Sequence, residues 1–314
     1  MSGPVLTLGE SMGLLRASDI GSIEHVSDFA LHIGGAESNV AIGVARLGHR
    51  SAWIGRVGDD GLGRRVLREL RAETVEVHGI VDPAAPTGLM LKESPTAEST
   101  RVLYYRAGSA ASRFTPADLD AELIASASIL HVTGITLAIS DTAASTVLAA
   151  VRMAVDAGVP VSFDVNHRAR LWRDRDPAEQ YREIARQSMI VFAGADEAAI
   201  LVGDGEPAEL AQRLVALGPS HAVVKLGAEG SLAVVDGGLH TQRPYPVSAL
   251  DTVGAGDAFV AGYLAGWLDG SDAPARLDLA SRCGAFACLS PGDWEGLPRR
   301  ADLSALDGGD PVLR

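Results

Sequence analysis

Short apolar runs alternate with amphipathic helical patterns along almost the whole chain, and this rhythm restricts the possible folds more than any other feature. Residues 4–9, PVLTLG, are typical of a buried strand, and the segment that follows at residues 37–47 places Val40, Val44 and Leu47 on one helical face. The same alternation returns after residue 115. Strands separated by helices are typical of a parallel sheet covered by helices on both faces, so we predict a large α/β fold.

The remaining elements follow from the same patterns. Strands are predicted at residues 51–58, 128–134, 161–166, 189–194, 221–227 and 231–237, and helices at residues 61–70, 177–187, 195–201, 207–217, 258–268 and 277–289. One more helix is predicted to begin after Ser140, a typical N-cap residue, and to end near Gly158. Its stripe of Val147, Val151 and Val155 is expected to face the core.

Three strand patterns with no helix between them interrupt this rhythm at residues 77–109. They read VHGIV, TGLMLKE and TRVLYYR and are separated by turns rich in Pro and polar residues. Consecutive strands indicate a hairpin-like arrangement, so this segment is predicted to form an antiparallel flap.

Composition limits the classes of function. Hydrophobic residues make up 47% of the chain and charged residues 21%, close to the average of folded globular proteins, which excludes disordered, collagenous and coiled-coil proteins. The chain has 27 Lys and Arg against 40 Asp and Glu, a net charge of −13. Because that charge opposes general binding to nucleic acids or anionic lipids, we expect neither a nucleic-acid partner nor a membrane. A bound anion must be held by local groups.

The positions of the Cys, His and Lys residues further limit the kinds of site that the chain is able to form. Cys283 and Cys288 lie in one apolar segment with the spacing of neither a metal site nor a disulfide framework, and no leader sequence is evident, so we expect a reduced, cytoplasmic chain. The eight His residues lack metal-ligand spacing, and no metal bound directly by side chains is expected. Lys92 and Lys225 are the only lysines, and neither follows a Gly, which excludes a P-loop.

The densest chemical signal is DTVGAGDAF at residues 251–259. A Gly-rich turn that opens a helix presents unpaired backbone N–H groups at the positive end of the helix dipole, and such a turn binds anions. Asp257 lies within this turn, where a carboxylate is able to accept the proton of an attacking hydroxyl. The alternative is that Asp257 only stabilises the first helical turn and the glycines only allow tight packing.

A second glycine pair precedes the first predicted helix, in GGAESN at residues 34–39. Backbone without side chains at Gly34 and Gly35 lets a small polyol approach closely, and Asn39 offers a donor and an acceptor to hydroxyl groups. An ordinary turn with an Asn near a helix start is the alternative.

Together, GGAESN and DTVGAGDAF resemble the two signatures of the PfkB (ribokinase-like) carbohydrate kinases, in the right order and separation, and the strand–helix rhythm fits that family across the chain. The resemblance implies one three-layer α/β domain over residues 1–314, with a β-stranded lid formed by about 77–109 plus parts of 10–33. It implies ATP with Mg²⁺, the latter held through water, and Asp257 as catalytic base. It also implies that the backbone N–H groups of Gly254, Ala255 and Gly256 stabilise the transferred phosphoryl group.

The segment VVKLGAEGS at residues 223–231 resembles the nucleotide side of the same family. The resemblance implies that Lys225, Gly227 and Gly230 lie near the ATP phosphates or ribose. A structural β-turn between two strands remains the alternative for each residue.

Within the family, three segments are similar to those of 2-keto-3-deoxygluconate kinases: TRVLYYRAGS, FDVNHRARLW and GDWEGLP, at residues 100–109, 163–172 and 292–298. Strand alternation places Tyr104 and Arg106 on one face, and Arg168 adds a second cation. Two Arg residues suit a substrate carboxylate, which favours a sugar acid.

Alternatives remain open for the charged residues of these segments. Arg106 as a solvated lid residue is one of them, and Arg168 paired with Asp164 or Asp174 is another. Asp164 and Asn166 are expected to share a strand face and either to hold Mg²⁺ through water or to order Arg168.

Two positions depart from the family pattern. Gly194 stands where many members have an Asn, although Glu197 is retained, and Met90 stands where related kinases place a Tyr that touches the substrate. The predicted activity is ATP-dependent phosphorylation of the terminal hydroxyl of a sugar acid, with 2-keto-3-deoxygluconate preferred. A kinase for a neutral sugar such as fructose or ribose, and a non-catalytic sugar-binding relative, are the alternatives. Exposed flap edges and the resemblance favour a homo-oligomer that pairs through the lid.

Overall fold

A computed structural model describes residues 3–96, 99–173 and 175–307 of the protein. Over these ranges a mostly parallel sheet lies between two layers of helices, and a separate small sheet adjoins one end of it. The predicted three-layer α/β architecture with a β-stranded lid is confirmed.

The described ranges contain thirteen strands in two sheets. In chain order they are β1 (Val5–Leu8), β2 (Met12–Ile20), β3 (Phe29–Gly34), β4 (Ser51–Gly58), β5 (Glu76–Asp82), β6 (Leu89–Thr96), β7 (Ser99–Tyr105), β8 (Ile129–Thr133), β9 (Val161–Asp164), β10 (Ile190–Gly194), β11 (His221–Lys225), β12 (Ser231–Val235) and β13 (Gly238–Gln242). The main sheet has the order β13-β12-β11-β10-β9-β8-β1-β4-β5, and the small sheet has the order β3-β2-β6-β7. From β11 to β5 the main sheet is parallel, and β12 and β13 add an antiparallel edge.

Helices occupy most of the connections between strands. They are α1 (Ala36–Arg46), α2 (Gly61–Ala72), α3 (Ala121–Ser126), α4 (Gly134–Ile139), α5 (Asp141–Asp156), α6 (Ala169–Trp172), α7 (Ala178–Gln187), α8 (Ala195–Val202), α9 (Pro207–Val215), α10 (Ala255–Leu268) and α11 (Ala273–Ala287). None of the helices in the described ranges is long and apolar enough to cross a membrane.

Side chains that alternate along the central strands pack into the apolar layers on the two faces of the sheet. In β1, Val5 packs with α1, α10 and α11 on one face of the sheet, whereas Leu6 packs with α5, α7, α8 and α9 on the other. Because both faces are covered, the inner strands β1, β8 and β9 are buried throughout and are rich in apolar residues.

The α5 stripe is shorter than its pattern predicts. Ser140 caps the helix as expected, with its Oγ accepting the Ala143 N–H at 3.1 Å, and Val147 and Val151 are buried. Val155, however, is 45% exposed. Eight residues advance a helix by two turns and about 80° more, so Val155 has rotated away from the core-facing side.

The lid differs from the predicted flap at one end. β5 pairs in parallel with β4 and therefore belongs to the main sheet, because α2 provides the crossover that parallel pairing requires. The small sheet, which we call the lid, instead consists of two antiparallel hairpins, β2–β3 and β6–β7, joined by parallel pairing of β2 with β6. The expectation of an antiparallel flap starting at residue 77 was wrong in these two respects.

Candidate active site

The Gly-rich turn at residues 254–257 opens α10 and forms a cradle of backbone groups. Gly254 adopts φ +80°, a left-handed conformation, and a Cβ there would lie 1.9 Å from the backbone oxygen of Asp293. The N–H of Ala255 donates to the Thr252 carbonyl at 3.3 Å, while Gly256 and Asp257, in the first helical turn, have no intrahelical acceptor for their N–H groups. Their donors and the helix dipole together favour an anion at this point.

Two cavities meet at this turn. The first has a volume of about 710 Å³ and lies between the lid and the carboxyl ends of the parallel strands. The second, of about 500 Å³, is mainly apolar and lies beside α10 and α11. Lys225, Thr252 and Gly256 line both of them. A ligand in each cavity would therefore meet the other at the N-terminus of α10, where open α/β sheets commonly bind their substrates.

Asp257 lies at the bottom of the first cavity as a buried carboxyl group. Asn39 of α1 donates from Nδ2 to Asp257 Oδ2 at 2.8 Å, and Asn39 Oδ1 is buried with no hydrogen-bond partner. Burial raises the pKa of Asp257 to about 8, and the neighbouring Asp293 carboxylate adds to the rise. The contact shows that Asn39 orients Asp257, in addition to any hydroxyl it binds.

Asp293 is a second buried carboxyl group in the first cavity, and the sequence prediction did not single it out. Burial raises its pKa to about 6, although the Lys92 ammonium opposes the rise. A Cβ at Gly34 would lie 1.8 Å from Asp293 Oδ2, so only Gly permits this approach. The segment GDWEGLP at residues 292–298 contains two acidic residues, and the sequence prediction gives neither of them a role. Of the glycine pair, Gly35 lines the cavity and Gly34 lies behind Asp293.

Tyr104 and Arg106 both line the first cavity from the lid, whereas Tyr105 points outward and is 61% exposed. The Arg106 guanidinium lies over the Tyr104 ring, 5.7 Å from its centroid. Arg106 is buried and forms an ion pair with the buried Glu10, so the alternative of a solvated lid residue is wrong. Glu10, absent from the predicted site, also accepts the Ser109 hydroxyl at 2.6 Å. These contacts hold the guanidinium at the cavity wall.

Arg168 lines the same cavity at the start of α6. The Asp164 alternative is wrong, because Asp164 is paired with Lys225 instead, and Asp174 lies outside the described residues. In the part of the chain that the structure describes, Arg168 has no carboxylate partner. Its guanidinium is therefore available to an anionic ligand.

Lys225 joins the ends of β11 and β9, the two strands that flank β10. Its Nζ donates to Asp164 Oδ1 at 2.7 Å and to Oδ2 at 2.8 Å. Burial alone would lower the pKa of Lys225, but Asp164 and Glu197 outweigh it and raise the pKa, so the ammonium stays charged. Lys225 thus places a positive charge where the two cavities join. Gly227 and Gly230 lie in the turn after β11 and line the second cavity.

Asn166, Gly194 and Glu197 complete the polar wall of the first cavity. Asn166 lies beyond the end of β9 with φ +38°, so it does not share a strand face with Asp164 as expected, yet both side chains line the cavity. Glu197 accepts the N–H groups of His167 at 2.8 Å and Gly194 at 2.7 Å. Gly194 contributes only this backbone donor to the cavity wall.

An apolar patch on the lid faces the polar wall across the first cavity. It consists of Met12, Leu14, Met90 and Val102, which pack against one another and line the cavity. This side of the cavity therefore favours contact with apolar parts of a ligand over contact with its hydroxyl groups.

Comparison with known proteins identifies the family of the chain. A family model described as pfkB family carbohydrate kinase matches residues 5–300. A 2-dehydro-3-deoxygluconokinase of Bacillus subtilis (strain 168) is 37% identical over 96% of this chain and 94% of its own length. The crystal structure of a PfkB protein from Polaromonas sp. JS666 is 36% identical, with a TM-score of 0.88 over 96% of this chain and 99% of the other. An uncharacterized sugar kinase from Pyrococcus horikoshii in complex with ATP is 29% identical, with a TM-score of 0.82 over 95% and 96% of the two chains. The chain belongs to the pfkB family of carbohydrate kinases.

Proposed function

We propose that the protein transfers the terminal phosphoryl group of ATP to the terminal hydroxyl of a 3-deoxy sugar acid, 2-keto-3-deoxygluconate, which is also called 2-dehydro-3-deoxygluconate. The observation that carries the proposal is the meeting of two cavities at an anion-binding turn that contains a buried carboxyl group with a raised pKa. The Bacillus subtilis relative bears the corresponding name, and the Pyrococcus horikoshii relative binds ATP.

The walls of the first cavity support an acid over a neutral sugar. Arg168 and Arg106 lie on the cavity wall, and Arg168 is free of carboxylate partners within the described ranges. A guanidinium binds a carboxylate through two parallel hydrogen bonds, each contributing about 1.5–3 kcal/mol. The apolar patch of Met12, Leu14, Met90 and Val102 supports a substrate with a methylene group, because a hydroxyl there would lose its hydration without gaining a partner.

In the proposed mechanism the substrate carboxylate binds the Arg side chains, and its far hydroxyl points toward Asp257. Asp257 accepts the hydroxyl proton while the hydroxyl oxygen attacks the γ-phosphorus, and the bond from that phosphorus to the β–γ bridging oxygen breaks to release ADP. Asn39 orients the carboxylate of Asp257. The N–H groups of Gly256 and Asp257 and the Lys225 ammonium stabilise negative charge on the phosphoryl oxygens.

The acidic groups of the first cavity fit a magnesium ion held through water. In the described ranges no three His, Cys, Asp or Glu side chains are arranged to hold a metal directly, but Asp164, Asn166 and Glu197 offer oxygens at the cavity wall. Mg²⁺ keeps several waters and binds phosphates readily. When bound, it supplies charge neutralisation for the phosphates of ATP.

An acceptor panel tests the proposed function. We expect ADP release with 2-keto-3-deoxygluconate, much less with 2-ketogluconate, which carries a hydroxyl at carbon 3, and least with fructose and ribose. Phosphorus NMR of the product should show a phosphomonoester on the terminal carbon. Equal or faster turnover of fructose or ribose would assign the protein to neutral sugars, and sugar binding without ADP release would make it a non-catalytic relative.

Met90 is expected to control the preference for the deoxy carbon. Met90→Gln places an amide in the apolar patch, so the ratio of kcat/KM for 2-keto-3-deoxygluconate over 2-ketogluconate should fall by about 10-fold, the effect of one hydrogen bond. The ratio measured for Val155→Gln, on the exposed side of α5, is the control. An unchanged ratio in Met90→Gln would show that the patch does not contact carbon 3.

The raised pKa of Asp257 predicts that activity increases with pH. A base must lose its own proton before it accepts another, so kcat/KM should rise as the pH approaches about 8. Asp293→Asn removes a negative charge beside the base and lowers the pKa of Asp257, so the acidic limb of the profile should move to lower pH, whatever the loss in absolute rate. A limb that stays in place in this variant would contradict the coupling between the two carboxyl groups.

The outer face of the lid supports pairing between subunits. Leu15, Leu89, Leu91, Leu103 and Tyr105 share the side of the small sheet opposite the cavity, and Tyr105 is exposed. We expect a dimer by sedimentation equilibrium and a shift toward monomer in Tyr105→Glu; an unchanged mass in that variant would place the interface elsewhere.

A further inference from the structure

Lys92, one of the two lysines of the chain, lies in the lid with its ammonium buried against the main body of the protein. The residue is 3% exposed. Its Nζ forms an ion pair with Asp251 Oδ2 and donates to the backbone oxygen of Gly292 at 3.0 Å. Neither the sequence prediction nor the mechanism above gives Lys92 a role, although a lone lysine in an apolar strand of a chain so poor in Lys is conspicuous.

The two acceptors of Lys92 belong to the two loops that build the site. Asp251 begins the loop that leads into the cradle of α10, and its Oδ1 accepts the Val253 N–H at 3.2 Å. Its Oδ2 accepts the Gly292 N–H at 3.1 Å, which ties it to the loop that carries Asp293. The backbone oxygen of Asp293 in turn packs against Gly254. One ammonium therefore binds both loops at the point where they touch.

Lys92 lies in β6 of the lid, a strand that also lines the first cavity. Met90 and Lys92 project from the same side of β6, and the neighbouring strand β7 pairs Met90 with Tyr104 and Lys92 with Val102. All four residues line the first cavity. A shift of the lid on substrate binding would consequently move the ammonium, and with it the loop that leads to Gly254.

We propose that Lys92 is a positioning residue that connects the substrate-binding face of the lid to the anion-binding cradle of α10. This inference rests on the proposed function. With the lid closed, the ammonium holds Asp251 and the Gly292 carbonyl together, and the donors of Gly256 and Asp257 then face the transferring phosphoryl group. Substrate in the first cavity and phosphate in the cradle thereby become coupled. A misplacement of about 1 Å at a reacting centre lowers the rate by about 100-fold, so a single contact of this kind is sufficient.

Comparing single and double variants separates positioning from stability. Lys92→Met leaves Asp251 buried without its cation, so this variant is expected to lose both stability and turnover. Lys92→Met combined with Asp251→Asn removes both charges. We expect the double variant to regain the melting temperature of the wild type while its kcat stays about 100-fold low and its KM for ATP changes little. Recovery of both kcat and melting temperature in the double variant would overturn the proposal, because it would assign Lys92 to charge compensation alone.

Chemical rescue of kcat by added amines is a second test, because a purely structural role of Lys92 predicts no such rescue. Lys92→Ala removes the atoms of n-propylamine from a side chain that borders the cavity. n-Propylammonium should raise the kcat of this variant, whereas tetramethylammonium, which has the same charge but no N–H donor, should not. Equal rescue by the two ions would overturn the proposal.

The control for these variants is Arg56→Met, which removes one of the two cations beside the buried Asp82 at a place outside both cavities. It should lower stability without a specific loss of kcat. A wild-type protein that releases no ADP with any acceptor would refute the proposed function, whereas an active wild type with wild-type kcat in Lys92→Ala would refute only the role of Lys92.

Discussion

Asp257→Asn is expected to lower kcat by about 10²- to 10⁴-fold while ATP and the sugar acid still bind. An amide keeps the shape of the side chain and its contact with Asn39 but cannot accept the hydroxyl proton. Steady-state ADP release measures the loss, and calorimetric titration with each ligand shows that the cavities remain intact. Full turnover in this variant would refute Asp257 as the base and, with it, the mechanism.

The same variant should be more stable than the wild type at high pH. The pKa of Asp257 is raised in the folded protein, from an ordinary 3.8 to about 8, so the folded state favours the protonated carboxyl group. That stabilisation is complete at acidic pH and is lost as the pH rises through about 8. Asn does not titrate, so the difference in melting temperature between Asp257→Asn and the wild type should grow from acidic to basic pH. A constant difference would show that the carboxyl group is already ionised in the folded protein.

Arg168→Ala should weaken the use of acidic substrates selectively. Loss of a charged hydrogen bond of about 1.5–3 kcal/mol corresponds to a fall of about 10- to 100-fold in kcat/KM for the sugar acid, mainly through KM. Any turnover of a neutral sugar should change little, because such a sugar offers no carboxylate. Kinetics with one acid and one neutral acceptor measure this split.

Two further variants control the Arg168 result. Arg152→Ala removes an exposed Arg of α5 that lies outside both cavities and should leave both acceptors unaffected. Arg106→Ala should also raise KM for the acid, but it leaves the buried Glu10 without its cation and is expected to lower stability as well. Equal losses on acid and neutral acceptors in Arg168→Ala would make this residue structural.

Individual residues show which features of the structure the local sequence pattern predicts and which it does not. The helix that begins after Ser140 is predicted correctly, because its capping residue and its apolar spacing lie within one segment. The turn at Gly254 is also predicted correctly, because its glycines directly precede the helix in the sequence. β5 was assigned to the wrong sheet, because strand pairing depends on which partner lies beside it and not on its own pattern. Likewise, the sequence identifies Arg168 as a cation, but only the structure shows that Asp164 pairs with Lys225 and not with Arg168.

By itself, the sequence determined the α/β class, the two glycine-rich turns and the carboxylate at position 257, since these depend on periodicity and on residues close together in the chain. Only the tertiary structure decided which charges meet: Asn39 with Asp257, Arg106 with Glu10, and Lys92 with Asp251, pairs separated by 96 to 218 positions in the sequence. The physical reason is that burial and charge pairing depend on distance in space, which folding establishes between segments whose local patterns carry no information about each other.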